Sequence, residues 1–130
     1  MTILKREEKL SQKEICAVAL EAFFNICDFW KLSTKEQEIL LGLHGSTFFK
    51  YKKDKNVVLH KDTLERISYI IGIYKALNIL FPDSERADKW IKKPNKAPLF
   101  NDKSALDIML RGNVFDLALV RNYLNEQRGW

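Results

Sequence analysis

The chain predicts an all-α fold, and three observations carry that expectation. Apolar residues recur at three- and four-residue spacing over long stretches, which is the period of a helix with one buried face. Only five Gly and three Pro punctuate 130 residues, too few for the turn density of a small all-β domain. Cap-like signatures precede several apolar runs, and glycines close two of them.

Taken in order, Ser11-Gln12-Lys13-Glu14 has the form of a capping box. Ile15, Val18, Ala19, Ala22, Phe23, Ile26 and Trp30 follow it as a broad apolar stripe, predicting a first helix with that stripe buried. Ser33-Thr34-Lys35-Glu36 repeats the capping signature before Ile39-Leu40-Leu41, and Gly42 supplies a left-handed stop. After Leu43-His44-Gly45, Ser46 or Thr47 is positioned to cap a third short helix through Lys53, with Phe48 or Phe49 as its core anchor. Asp62 is read as the cap of a long helix from about Thr63 to Phe81. Its Leu64, Ile67, Ile70, Ile71, Ile73, Tyr74, Leu77 and Leu80 spread around much of the circumference. Such a helix must be covered on more than one side, either by its own chain or by a second copy, so homodimerisation is one expectation.

Pro82-Asp83-Ser84 breaks the long helix, a short helix runs to Ile91, and Pro94-Asn95-Lys96-Ala97-Pro98 is loop, because each proline disfavours helix in the residue before it. Ser104 caps a brief helix through Leu110 that Gly112 stops, and Asn113 caps the last one, whose Val114, Leu117, Ala118, Val120 and Leu124 face inward. Gly129-Trp130 then leaves the helix.

With 46% hydrophobic and 30% charged side chains, the chain buries a core and is not a disordered segment. The net charge of +5 is mild, but its placement is not: Lys50, Lys52, Lys53, Lys55 and Lys61 stand against the single acid Asp54. The first residues show no secretory signal, and no segment approaches the roughly 20 apolar residues that span a bilayer, so a cytoplasmic location is expected. Cys16 and Cys27 are eleven residues apart on one helix. That spacing separates them by about 16 Å of helical rise, too far for a disulfide. They read as core thiols, and neither a metal site nor a cofactor is expected. No nucleophile–base pairing is suggested by spacing and no glycine-rich phosphate loop occurs, which argues against an enzyme and against any catalytic residue.

A short helix, a glycine turn and a short basic helix make the arrangement of a helix-turn-helix, whose second helix enters the major groove of DNA. On that helix Ser46, Thr47, Lys50 and Tyr51 are the candidates to face bases or phosphates, and Lys52 and Lys53 to bind phosphates.

Several motifs in the same order resemble the Xre/MbcA/ParS antitoxin family, and specifically its RES-Xre branch, from about Leu32 to the terminus. They are Leu41-Gly42 with Ser46-Thr47-Phe48-Phe49-Lys50-Tyr51-Lys52-Lys53, then Leu64-Glu65-Arg66-Ile67, Gly72-Ile73-Tyr74-Lys75-Ala76-Leu77, Trp90-Ile91, Pro94-Asn95, Pro98-Leu99-Phe100, Met109-Leu110 with Gly112, and Val120-Arg121 with Tyr123-Leu124. The sequence departs from the family pattern at Asn101-Asp102-Lys103-Ser104-Ala105, where relatives usually carry a glycine-containing turn and a proline. The resemblance implies an Xre-like helix-turn-helix domain over 1–60 that represses its own operon. It further implies a toxin-binding and dimerisation domain over 61–130 that neutralises a RES-type, NAD-consuming toxin by plugging its active site with the C-terminal end. It places toxin contacts at Trp90, Asn95, Arg121, Tyr123, Arg128, Gly129 and Trp130.

Read as an anchor, Trp130 would contribute roughly 2 to 4 kcal/mol in a partner's pocket; read otherwise, it packs back on its own domain. A cognate toxin, operator DNA and a second copy of the chain are therefore the expected partners, with no membrane. A stand-alone helix-turn-helix repressor is the alternative, and it would leave the C-terminal half with nothing to do beyond dimerising.

Overall fold

The computed structural model describes residues 2–129, with side chains from Ser11 to Gly129. Its elements are α1 (Thr2–Phe29), α2 (Thr34–Leu41), α3 (Gly45–Lys53), α4 (Lys61–Leu80), α5 (Ser84–Trp90), α6 (Ala105–Met109) and α7 (Val114–Gln127). No strand occurs among the described residues; a single bridge pairs Pro94 with Ser104. The all-α expectation holds.

α1 is longer than its capping signature suggests. Neither Gly nor Pro occurs before Gly42, and Leu4-Lys5-Arg6-Glu7-Glu8-Lys9-Leu10 consists of strong helix formers. The helix therefore starts at Thr2 and Ser11 lies in its interior, where it caps nothing. The buried stripe is also rotated: Cys16, Leu20, Phe23, Phe24, Ile26, Cys27 and Trp30 face the core, while Ile15 and Val18 stay 60% and 68% exposed. α1 ends without glycine. Lys31 takes the left-handed conformation at φ 55°, and the Leu32 N–H donates to the Cys27 carbonyl at 2.9 Å to close the last turn.

The α2 signature is realised in full. Ser33 Oγ accepts from the Glu36 N–H at 3.2 Å, the Glu36 carboxylate accepts from the Ser33 N–H at 2.8 Å, and Gly42 closes the helix at φ 73°. Two other caps differ from expectation. The residue preceding α3 is His44 and the one preceding α4 is His60, neither with a side-chain cap bond, so Ser46 and Thr47 lie in the first turn of α3. Asp62 lies in the first turn of α4, where its carboxylate favours the positive helix end and pairs with Arg66 at 3.0 Å.

α4 is the axle of the molecule, packing most extensively on α7 and α1, with α5 and α2 beside them. Its Ile67, Ile70, Ile73, Ala76 and Leu77 are buried by the same chain, so a second copy is not needed to cover them. The core is one continuous cluster, running from Phe23, Leu41 and Phe48 through Ile70 and Ile73 to Phe100, Ile108 and Val120. Burying each such side chain stabilises the fold by roughly 1.5–3 kcal/mol.

Between α5 and α6 the polar loop is tightly organised. The Asn95 N–H donates to the Lys103 carbonyl at 3.0 Å, and the Asp102 N–H to the Asn95 carbonyl at 2.9 Å. Asn101 and Asp102 sit at φ 49° and 67°, a region their short polar side chains tolerate, so the turn forms here without glycine. Ser104 and Asp107 form a capping box on α6, and Asn113 precedes α7 without a side-chain cap bond.

Candidate functional site

Two surfaces gather the candidate residues, one on α3 and one around α7. On α3 the core anchor is Phe48, fully enclosed and edge-on to Phe24 at 5.8 Å. At 100° per residue this directs Ser46, Phe49, Lys50 and Lys53 outward as one strip, and all four are exposed. Thr47 is exposed at the strip's edge, and Tyr51 is half-buried against the core. Lys52 leans back: its Nζ lies 5.7 Å from the Phe24 ring centroid and 5.9 Å from that of Phe48. Lys55 also covers Phe24, at 5.5 Å. The outward strip thus carries Lys50 and Lys53, while Lys52 and Lys55 form a second cationic rank over the aromatic core.

The α7 residues divide between two flanks. On one, Tyr123 stacks on Trp90, with centroids 6.4 Å apart and planes 16° from parallel, and Phe100 meets both edge-on at 4.9 and 5.9 Å. Trp90 and Tyr123 then help wall a cleft of about 290 Å³ with Leu80, Phe81, Leu124 and Gln127. On the other flank, Arg121 lies across α4, its guanidinium carbon 4.5 Å from the centroid of Tyr69. Gly72 makes this possible, because a Cβ there would sit 3.0 Å from Arg121 Cδ. Arg121 Nε is enclosed without a hydrogen-bond partner.

Of the remaining predicted contacts, Asn95 organises its own loop, its Oδ1 accepting from the Ala97 N–H at 2.9 Å. The Arg128 N–H caps α7 through the Leu124 and Asn125 carbonyls, and Gly129, at φ 85°, turns the chain out of the helix. Trp130 lies outside the described residues. Arg121 and Tyr123 are two positions apart and so about 160° apart on the helix, which prevents them from sharing a flank.

Sequence reasoning gave three residues no structural role of their own. Arg66 is nearly enclosed: its guanidinium donates to the Gly112 carbonyl at 2.9 Å and the Ile39 carbonyl at 3.5 Å, tying the end of α2 to the turn before α7. Phe115 is 69% exposed at the start of α7. Asp88 shares a cleft of about 320 Å³ with Phe29, Trp30, Lys31, Lys89 and Lys92, and burial raises its carboxyl pKa. The spacing rule that finds helix stripes does not find these, because each depends on what a different element places opposite. Both cysteines are buried and free, and burial pushes the Cys27 thiol up, which suits a packing role. Among the described residues no group of three or more His, Cys, Asp or Glu side chains gathers as a metal site, and no helix is long and apolar enough to cross a membrane.

Comparison with known proteins divides the chain where α4 ends its first three turns. Residues 9–72 match the antitoxin Xre-like helix-turn-helix domain, and residues 76–129 match the antitoxin Xre/MbcA/ParS C-terminal toxin-binding domain. The chain is also similar to the uncharacterized protein y4oB of Sinorhizobium fredii, at 55% identity over 111 residues, which is 85% of this chain and 84% of that protein. A basic helix-turn-helix in the first half and an aromatic-walled, arginine-flanked helix in the second agree with that division. The chain belongs to the Xre/MbcA/ParS antitoxin family, with its helix-turn-helix domain followed by its toxin-binding domain.

Proposed function

We propose that this protein is the antitoxin of a type II module whose toxin is a RES-type, NAD-consuming enzyme. It acts by covering that enzyme's active site with its C-terminal region, and it represses its own operon through α3. The observation that carries the reading is the pairing of two distinct surfaces on one core: the outward basic strip of α3, and the Trp90–Tyr123 cleft with Arg121 on the opposite flank of α7. A plain repressor has no use for the second surface. Aromatic and arginine side chains are the residue types that dominate binding energy at protein interfaces.

In this reading Ser46, Thr47, Lys50, Tyr51, Lys52 and Lys53 form the DNA-binding set. Lys50 and Lys53 hold phosphates directly, and Lys52 adds positive field from its seat over the rings. Trp90, Asn95, Arg121, Tyr123, Arg128, Gly129 and Trp130 form the toxin-binding set. Trp90 and Tyr123 receive an apolar side chain of the toxin, and Gly129 and Trp130 supply the end that enters the NAD pocket. The working form is a cytoplasmic homodimer. Ile15, Val18 and Phe29 leave apolar surface along one side of α1 for a second copy to cover.

The test is co-expression with the product of the adjacent reading frame, using the full chain and a version lacking Gly129 and Trp130. The full chain is expected to co-purify with that product and abolish its consumption of NAD. The truncated chain is expected to release NAD loss while still retarding DNA from its own upstream region. Undiminished neutralisation by the truncated chain overturns the plugging mechanism, and failure of the full chain to retain the neighbour overturns the toxin assignment.

A further inference from the structure

Phe49 has no task in the core. Phe48, beside it in the chain, is fully enclosed, whereas Phe49 remains 53% exposed. Its ring meets Phe48 edge-on, 5.4 Å between centroids at 83°, so it is braced from beneath. On a nine-residue helix, Ser46 and Lys53 fall between Phe49 and Lys50 around the axis, giving one outward strip of a hydroxyl, an aromatic ring and two ammonium groups. α3 is about 13 Å long, and a helix with its side chains is about 10–12 Å across, which a major groove about 12 Å wide admits.

An aromatic ring among lysines gains nothing from water, and the lysines specify a polyanion as what covers it. In duplex DNA the apolar group that projects into the major groove is the 5-methyl of thymine. We propose that Phe49 is the residue through which α3 recognises thymine, its ring packing on one or more 5-methyl groups while Lys50 and Lys53, beside it on the same strip, hold phosphates. The proposal rests on the DNA-binding reading of α3 and adds to it the base and the chemistry of its recognition. Lysines alone bind any sequence, so Phe49 supplies discrimination that the charged groups do not.

The experiment measures binding of the full chain, by fluorescence anisotropy, to duplexes tiling the DNA immediately upstream of its own reading frame. The best-bound duplex is then remade with 2′-deoxyuridine at each thymine in turn, which deletes the methyl and keeps the pairing. The wild-type chain is expected to lose roughly fourfold in affinity at each contacted position, the value of one buried methyl-sized group. Phe49→Ala is expected to bind the thymine and uracil duplexes alike, with unchanged melting and unchanged salt dependence. Lys50→Ala is expected to weaken both duplexes by the same factor. Specific binding by the wild type that ignores every thymine-to-uracil replacement overturns the proposal, as does a preference for thymine that survives Phe49→Ala. A wild-type chain that binds no upstream duplex more tightly than random DNA overturns the reading of α3 beneath it, a distinct result, and leaves Phe49 to a protein partner.

Discussion

Asp88 and Trp30 face one cleft, and each leaves a polar atom enclosed without a partner: the carboxylate Oδ1 of one and the indole Nε1 of the other. Burial raises the Asp88 pKa, so the folded state holds that proton more firmly than the unfolded chain does. Stability therefore falls as pH rises from the unfolded carboxylate value near 3.9 through the raised folded value, and the penalty is fully present at neutral pH. Asp88→Asn removes the charge while keeping the shape. It is expected to raise the melting temperature at about pH 7, with the gain closing toward about pH 3, where the carboxyl is protonated in both states. Parallel thermal melts at the two pH values check this; an equal gain at both would show that charge is not the cause. Phe48 and Phe49 teach a related lesson, since residues of the same type adjacent in the chain differ by 100° around α3, and that rotation separates a core anchor from an outward ring.

The helices divide into those made by their own ends and those made by their neighbours. α2 is of the first kind: a capping box opens it and left-handed Gly42 closes it. Gly42 also carries the Arg66 side chain against its Cα, with Nε 2.7 Å from where a Cβ would stand. Gly42→Ala meets both the positive φ and that close approach, and is expected to cost about 1–3 kcal/mol in chemical denaturation. α3 lacks a side-chain cap and depends on Phe48 for its position, which leaves its outer face free for other work. If Lys50 and Lys53 each neutralise a phosphate, the double change to Ala flattens the dependence of log affinity on log salt by roughly 0.9 per lysine. An unchanged slope in titrations across salt concentrations would remove both residues from the DNA contact.

Across the whole molecule, α4 belongs to both family domains, its first turns to one and its last to the other, so the two functions share a single core and are not beads on a linker. Arg66 strengthens that union. From α4 it reaches back to the Ile39 carbonyl of α2 and forward to the Gly112 carbonyl before α7, while Asp62 holds its Nε at 3.0 Å. Arg66→Met keeps the length of the side chain but strands the Gly112 carbonyl and leaves the Ile39 carbonyl with only the Gly42 N–H. The expected cost is about 1–3 kcal/mol, the penalty for a buried polar group left unpaired. Hydrogen exchange is expected to quicken together at the end of α2 and at the α6–α7 turn; quickening at only one site would show that the arginine does not link them.

Much of this was legible in the residues alone. Helical spacing, the Ser33 and Ser104 caps and the glycine stops are local properties of backbone geometry, and they mark α2, α5, α6 and α7 without reference to any contact. The ordered motifs identify the family for the same reason, being strings of neighbours. What required the folded molecule was every choice between equivalent faces: that Ile15 and Val18 point outward while Cys16 and Leu20 point in, that Phe48 and not Phe49 fills the core, that α4 is covered by α1 and α7 of its own chain, and that Arg121 and Tyr123 serve opposite flanks. An apolar pattern specifies that a helix has a side to bury, but only the helix packed against it, which lies far off in the chain, selects which side that is.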